Sequence, residues 1–211
     1  MPVALPFPVV DRPDAPTVLV ASLDVTDERV QRTLAEQLCI DWQREPWPAD
    51  VVSLTCFLST DGASVLAYIQ CTSERPSADL PGLRTLGAES IAYRVYRSLT
   101  TAEETRVPGC LVTALFTVDG PERQRRFVDS LIAALPEDDG HPGAISAHFH
   151  LSLDGGWMLN YTEWTSQEAH GEVAASGAHD DLHDLLANTP GVLPLGGKRY
   201  HLHRSLTAPV G

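Results

Sequence analysis

The sequence predicts an α+β fold: two ferredoxin-like repeats forming a pseudo-twofold structure of the dimeric α/β-barrel type. Three observations carry this. The segment order of the first half, β-α-β-β-(loop or short α)-β, returns in the second half. The stretch "LSTDGASVLAYIQCTSE" aligns with "LSLDGGWMLNYTEWTSQE" at a spacing of 93 residues, with Leu58/Leu151, Ser59/Ser152, Asp61/Asp154, Gly62/Gly155, Leu66/Leu159, Tyr68/Tyr161, Thr72/Thr165 and Ser73/Ser166 identical. The closing segments also match, "YRVYRSL" (93–99) against "YHLHRSL" (200–206). A four-stranded sheet with helices on one face leaves its other face bare, and a second copy can cover it.

The chain divides accordingly. Residues 1–16 hold five prolines and read as an extended arm. Repeat 1 spans 17–100 and begins with the β-branched strand "TVLVASLDV". Thr26 or Asp27 then caps a helix running to about Ile40, its apolar face marked by Val30, Leu34 and Leu38, with Trp42 and Trp47 in the loop beyond. Two strands around Asp61-Gly62 and a last strand, Ile91–Leu99, complete it. After a linker (101–109), repeat 2 (110–206) starts with "CLVTALFTV". Its helix opens at Asp119 and Pro121 and shows Phe127, Leu131 and Leu135 on one side. An insertion at about Gly171–Asn188, with His179 and His183 among aspartates, has no counterpart in repeat 1; residues 207–211 are a tail.

Bulk properties narrow the function. The chain of 211 residues has a formal net charge of −13, which argues against nucleic acid and against an anionic membrane surface. No apolar run is long enough to span a bilayer and no secretory signal is evident, so a cytoplasmic location is expected. Cys39, Cys56, Cys71 and Cys110 lie far apart without a C-x-x-C pair and read as buried thiols. All eight histidines lie at or after His141, so the reactive side chains belong to the second half.

The hairpin "AHFHLSLDGGWMLNYTEWTS" (147–166) concentrates them. If its Asp154-Gly155-Gly156 turn pairs Leu153 with Trp157, then His148, His150, Asn160, Thr162 and Trp164 share one face. Phe149, Leu151, Leu159 and Tyr161 then face the helices. The corresponding interior positions of repeat 1, Thr55, Phe57, Ala67, Ile69 and Cys71, are mostly apolar, so Phe57, Ala67 and Ile69 are expected to form a substrate-contacting wall.

This unit, its hairpin and "NYTEWTS" (160–166) together resemble the antibiotic biosynthesis monooxygenase family, over roughly Thr17–Leu99 and Cys110–Leu206. The resemblance implies a monooxygenase of secondary metabolism that oxidises aromatic polyketides (phenols, anthrones or angucyclines) with molecular oxygen. Such enzymes need no cofactor or use reduced flavin (FADH2 or FMNH2); others of the fold degrade haem or act on small quinones. Asn160 and Trp164 match the family motif, and repeat 1 has Ala67 and Cys71 there, which implies a silent first repeat. Where aromatic-oxidising members have a tyrosine shortly after the tryptophan, this chain has His170. Arg199 and Arg204 are candidates for the family's later arginine, and Arg199 with Thr162 is expected to touch substrate.

The chemistry fits. An amide N–H from Asn160 and the indole N–H of Trp164 suit a developing oxyanion, and a histidine suits the proton, with His150 first, then His148 or His170. A metal held by His148-x-His150 or His201-x-His203 is a rival, though no carboxylate accompanies either pair and no metal ligand is assigned. A non-catalytic binding or stress-response module is the other alternative. The expected partner is a small aromatic substrate, and either a homodimer or a pseudo-dimeric monomer is compatible with the duplication.

Overall fold

A computed structural model describes residues 7–77, 80, 82–83, 87–100, 104–135, 141–176, 185 and 188–209. The elements are β1 (Thr17–Asp24), α1 (Glu28–Arg44), β2 (Val51–Ser59), β3 (Ser64–Cys71), β4 (Ser90–Thr100), β5 (Cys110–Val118), α2 (Pro121–Ala133), β6 (Ala144–Ser152), β7 (Trp157–Trp164), α3 (Gln167–Ala175) and β8 (Val192–Thr207). The chain is thus α+β with two ferredoxin-like repeats, as the duplication predicts. His179 and His183 of the insertion lie outside the described residues.

Two compact units result: Met1–Arg94 with Tyr200–Gly211, and Val95–Arg199. They differ from the sequence repeats because each closing strand is shared. The first half of β4 pairs with β1, through Val18↔Tyr93 to Ala21↔Ser90. The end of β8 pairs with β2, through Ser59↔Tyr200 to Ser53↔Thr207. The sheet order in the first unit is therefore β4-β1-β3-β2-β8 and in the second β8-β5-β7-β6-β4.

In the first unit, Asp27 caps α1 by accepting from the Val30 amide at 2.9 Å. The helix runs to Arg44, one turn past the expected end, because Trp42 continues the buried stripe of Gln31, Ala35, Leu38 and Cys39. That stripe packs on Leu54, Cys56, Ala67, Ile69 and Cys71, with Leu80 and Leu83 closing the same core. On the opposite face Phe57 is fully buried, with Phe7 of the arm edge-on to it at 5.5 Å. The Gln70 amide donates to the Val9 carbonyl at 2.7 Å, so the arm lies on the sheet as expected.

In the second unit, Gly120 (φ 91°), not Asp119, precedes α2, and Pro121 fills its first turn. Phe127 and Val128 of α2 pack on Phe116, Phe149, Met158 and Val192. Leu135 lies beyond the helix and is exposed.

Candidate active site

The hairpin register decides which groups meet. β6 and β7 pair as Leu151↔Met158, His150↔Leu159, Phe149↔Asn160, His148↔Tyr161 and Ala147↔Thr162. This is one residue away from the register expected from sequence. Residues directly opposite share a face, and a slip of one turns a whole strand over. Asn160, Thr162 and Trp164 therefore stand on the helix-covered face with Phe149. His148 and His150 stand on the other face with Tyr161, Leu159 and Glu163. The cause is the loop. Ser152 Oγ donates to Asp154 Oδ1 at 2.6 Å and accepts from the Trp157 amide at 2.8 Å, while Asp154 Oδ1 accepts from the Gly156 amide at 2.9 Å. These bonds build a four-residue connection, with Gly155 at φ 81°, in place of a three-residue turn.

On the helix-covered face, Trp164 is 4% exposed and packs on Cys110 and on Val173 of α3. Its backbone is held from both sides: its carbonyl accepts from the Gly109 amide at 2.9 Å, and the following amide, Thr165, donates to the Gly143 carbonyl at 2.8 Å. Ser166 caps α3 by accepting from the Ala169 amide at 3.1 Å, which brings His170 back over the indole. The rings of Trp164 and His170 meet edge to face, 4.9 Å between centroids and 82° between planes. Arg199 on β8 donates from Nε to His170 Nδ1 at 2.8 Å. His141, ahead of β6, lies nearly parallel to the indole at 6.5 Å and 17°.

Asn160 is partly exposed, yet its Oδ1 is buried without a hydrogen-bond partner. A buried amide oxygen left unpaired costs about 1–3 kcal/mol, so such an atom marks a place for a ligand donor. The Trp164 indole N–H donates to Thr162 Oγ1 at 3.2 Å, and the Thr162 hydroxyl donates to the Val112 carbonyl at 3.1 Å. The indole N–H is thus spent inside the protein and is not aimed at an oxyanion, contrary to the expectation.

The other face holds a separate hydrogen-bonded chain. The Ser146 hydroxyl donates to Glu163 Oε2 at 2.8 Å, so His148 Nε2–H donates to Ser146 Oγ at 3.1 Å. His148 Nδ1 then takes the Ser98 hydroxyl at 2.8 Å. His150 is fully buried, donates from Nδ1 to the His148 carbonyl at 3.2 Å, and is pushed down to about 3 chiefly by burial. It is a neutral core group, which removes the ground for naming it first among the proton acceptors. Both nitrogens of His148 are engaged within the sheet, so His148-x-His150 is no ligand pair. His203 Nε2 lies 3.3 Å from Glu36 Oε2, and among the described residues no three His, Cys, Asp or Glu groups come together as a metal site.

The apolar wall expected from repeat 1 also falls away. Ala67 and Ile69 are sealed beneath α1 with no exposed surface, and Phe57 is covered with Phe7 beside it. Of the residues singled out from sequence, Thr162, Trp164, His170 and Arg199 are linked contact by contact in the second unit, and Asn160 shares their face of β7. His141 was missed; its only signal was that it heads the histidine-rich half.

No protein-family model matches the chain. Over 48 residues it is 44% identical to the tetracenomycin-F1 monooxygenase of Streptomyces glaucescens, covering 22% of this chain and 43% of that protein. The chain thus matches less than half the length of this curated relative. Solved structures extend the likeness at the level of fold. An anthrone oxidase-like protein superposes with a TM-score of 0.66 at 15% identity, covering 92% of this chain and 94% of that one. A ferredoxin-fold protein of Listeria monocytogenes 4b F2365, related to antibiotic biosynthesis monooxygenases, gives 0.52 at 14% identity, covering 90% and 97%. Duplicated ferredoxin-like units define the fold, which the chain shares with solved proteins related to antibiotic biosynthesis monooxygenases.

Proposed function

We propose that the chain is a monooxygenase of secondary metabolism, oxidising an aromatic polyketide with molecular oxygen on the helix-covered face of the second unit. The observation that carries this is the Asn160 amide oxygen, buried and unpartnered on the same face of β7 as Trp164, where His170 with its partner Arg199 meets the indole. The tetracenomycin-F1 and anthrone oxidase-like relatives support the substrate class.

Each residue has a task set by its chemistry. Trp164 supplies a flat apolar wall for a fused-ring substrate. The Asn160 amide accepts a substrate hydroxyl at Oδ1 or, turned over, donates to the oxyanion that forms when that hydroxyl or an enol loses its proton. An anthrone methylene can give up both of its hydrogens: one oxygen atom becomes the new carbonyl, the other leaves as water, and no outside reductant is needed. A phenol with a hydrogen ortho or para to its hydroxyl balances in the same way, losing both hydrogens to water as the quinone forms; a substrate that gains oxygen without losing two hydrogens needs two further electrons, the chemistry a reduced flavin would supply when bound. The first repeat, with Ala67 and Cys71 sealed in its core, is silent.

The test is oxygen uptake and product analysis with anthrone, naphthol and angucycline-type substrates, with and without reduced flavin. Anthrone is expected to be turned over without flavin. Asn160→Ala is expected to lower kcat about 10²–10³-fold, the usual loss for one oxyanion donor. Turnover undiminished in both Asn160→Ala and Trp164→Phe would overturn the site, and no turnover of any substrate would overturn the function.

A further inference from the structure

We propose that Ser98 is a histidine-activated nucleophile that takes an acyl group from an activated ester, on the face of the sheet opposite Asn160. The inference goes beyond the oxygenase reading and does not rest on it. The directions of the hydrogen bonds carry it. A serine hydroxyl has one hydrogen, and that of Ser146 goes to Glu163 Oε2 at 2.8 Å. Ser146 Oγ therefore accepts from His148 Nε2–H at 3.1 Å, and the Nδ1 lone pair takes the Ser98 hydroxyl at 2.8 Å. A serine becomes a better nucleophile when its hydroxyl is held against an imidazole lone pair and the opposite N–H is tied toward a carboxylate, here through Ser146. Glu163, Ser146 and His148 are 8%, 7% and 4% exposed, whereas Ser98 is partly exposed. A reagent therefore meets this relay at its serine end.

The first unit holds the same arrangement without the base. Ser53, Gln70 and Thr55 stand 93 positions before Ser146, Glu163 and His148, and Ser205 takes the place of Ser98 in the matching closing segments. Ser53 Oγ donates to Gln70 Oε1 at 2.7 Å, and the Thr55 and Ser205 hydroxyls meet at 3.1 Å. Ser205 is partly exposed, as Ser98 is, but neither Thr55 nor Gln70 can take up its proton. In the reaction, Ser98 Oγ forms a bond to the acyl carbon as its proton passes to His148 Nδ1. The bond from that carbon to the leaving alcohol breaks, and the alcohol departs with the proton. Water repeats the sequence on the acyl-serine and releases the acid, with no electron transfer at any step. An aryl ester suits such a site, because its leaving group needs little assistance.

The experiment compares the two serines within one molecule. The full chain is treated with an alkyl fluorophosphonate, whose serine adduct is stable, and the labelled peptides are mapped by mass spectrometry. Ser98 is expected to be labelled about 10²-fold faster than Ser205, the lower end of what a positioned general base contributes. His148→Thr, which installs the residue of the first repeat, is expected to bring Ser98 down to the rate of Ser205. Glu163→Gln removes a negative charge that favours the imidazolium, so labelling is expected to set in at lower pH than in the wild type. Release of nitrophenolate from para-nitrophenyl acetate is expected to fall to the solvent rate in Ser98→Ala. Equal labelling of Ser98 and Ser205 in the wild type, or no labelling of either, overturns the proposal whether or not any variant folds. Nitrophenolate release that persists in Ser98→Ala overturns it as well, and an onset unmoved in Glu163→Gln overturns the relay to the carboxylate.

Discussion

Gln31 and Gln124 stand 93 residues apart and make the same three bonds in their respective units. Gln31 Nε2 reaches the Ser59 carbonyl and Ser59 Oγ at 3.0 Å each and the Ser64 carbonyl at 2.8 Å. Gln124 Nε2 reaches the Ser152 carbonyl at 3.4 Å, Ser152 Oγ at 3.1 Å and the Trp157 carbonyl at 2.7 Å. Each glutamine pins the start of a helix to the mouth of a hairpin, and in the second unit that hairpin carries Asn160 and Trp164. Gln124→Met keeps the volume but removes the donor to the Trp157 carbonyl, while the Ser152 carbonyl still accepts from the Gly155 amide at 3.2 Å, at a cost of about 1–3 kcal/mol. Calorimetry is expected to show the melting temperature falling by roughly 2–4 °C for each kcal/mol in a protein of this size; an unchanged melting temperature would refute the role.

The duplication was legible because identical residues recur at one spacing, and it carried the elements with it. Gln31 and Gln124 fit the same spacing and could have been found by it. The hairpin face was not legible. Asp154-Gly155-Gly156 reads equally as the body of a three-residue turn or part of a four-residue one, and only the bonds from Ser152 and Asp154 choose the second. That single residue moved Asn160 and Trp164 away from His148 and His150. The meeting of His170 and Arg199 was not legible either, because they join an α-helix to a strand 29 positions later across the insertion.

Gly143 holds α3 against the sheet. It sits at φ 87°, and a Cβ there would come within 2.6 Å of Ala169 Cβ and 3.0 Å of Thr165 Oγ1. Gly143→Ala therefore strains the backbone and wedges α3 outward, carrying His170 off the indole without touching any polar group of the site. A displacement of 1 Å at a reacting group can cost on the order of a hundredfold in rate. The expected outcome is a kcat for anthrone lowered toward that extent, with changed Trp164 fluorescence; full activity would show that α3 does not need this approach.

The four thiols are all buried, and burial together with Asp50 raises Cys71 to about 12. Cys56 is raised as well, first by its hydrogen bond with Cys39 and then by burial. Since the thiolate is the reacting form, an aromatic disulfide reagent is expected to modify none of them in the native protein and all four in urea. A thiol that reacts at once under native conditions would contradict the packing beneath α1.

The chain Ser98–His148–Ser146–Glu163 has a non-ionisable counterpart in the first unit. There Ser53 Oγ donates to Gln70 Oε1 at 2.7 Å, and Thr55 and Ser205 meet at 3.1 Å. Position 150 corresponds in the same way to Phe57, so a histidine occupies a site that the first repeat fills with an aromatic hydrocarbon. His150 has a measurable acid cost. Its unfolded form gains a proton near pH 6.5, whereas the folded form, chiefly desolvated, resists until about 3. Stability is therefore lost as the pH falls from 6.5 toward 3, by about 2 kcal/mol at pH 5 from this group alone. His150→Phe, which installs the residue of the first repeat, removes that proton while keeping the ring beside Tyr161. Urea unfolding at pH 7 and pH 5 should show the variant losing about 2 kcal/mol less than the wild type over this interval. His148 and Glu163 remain in both proteins, so their titration cancels in the comparison. An equal loss in the two would mean that His150 takes up its proton in the folded state near neutrality, and that the sheet face around it admits water.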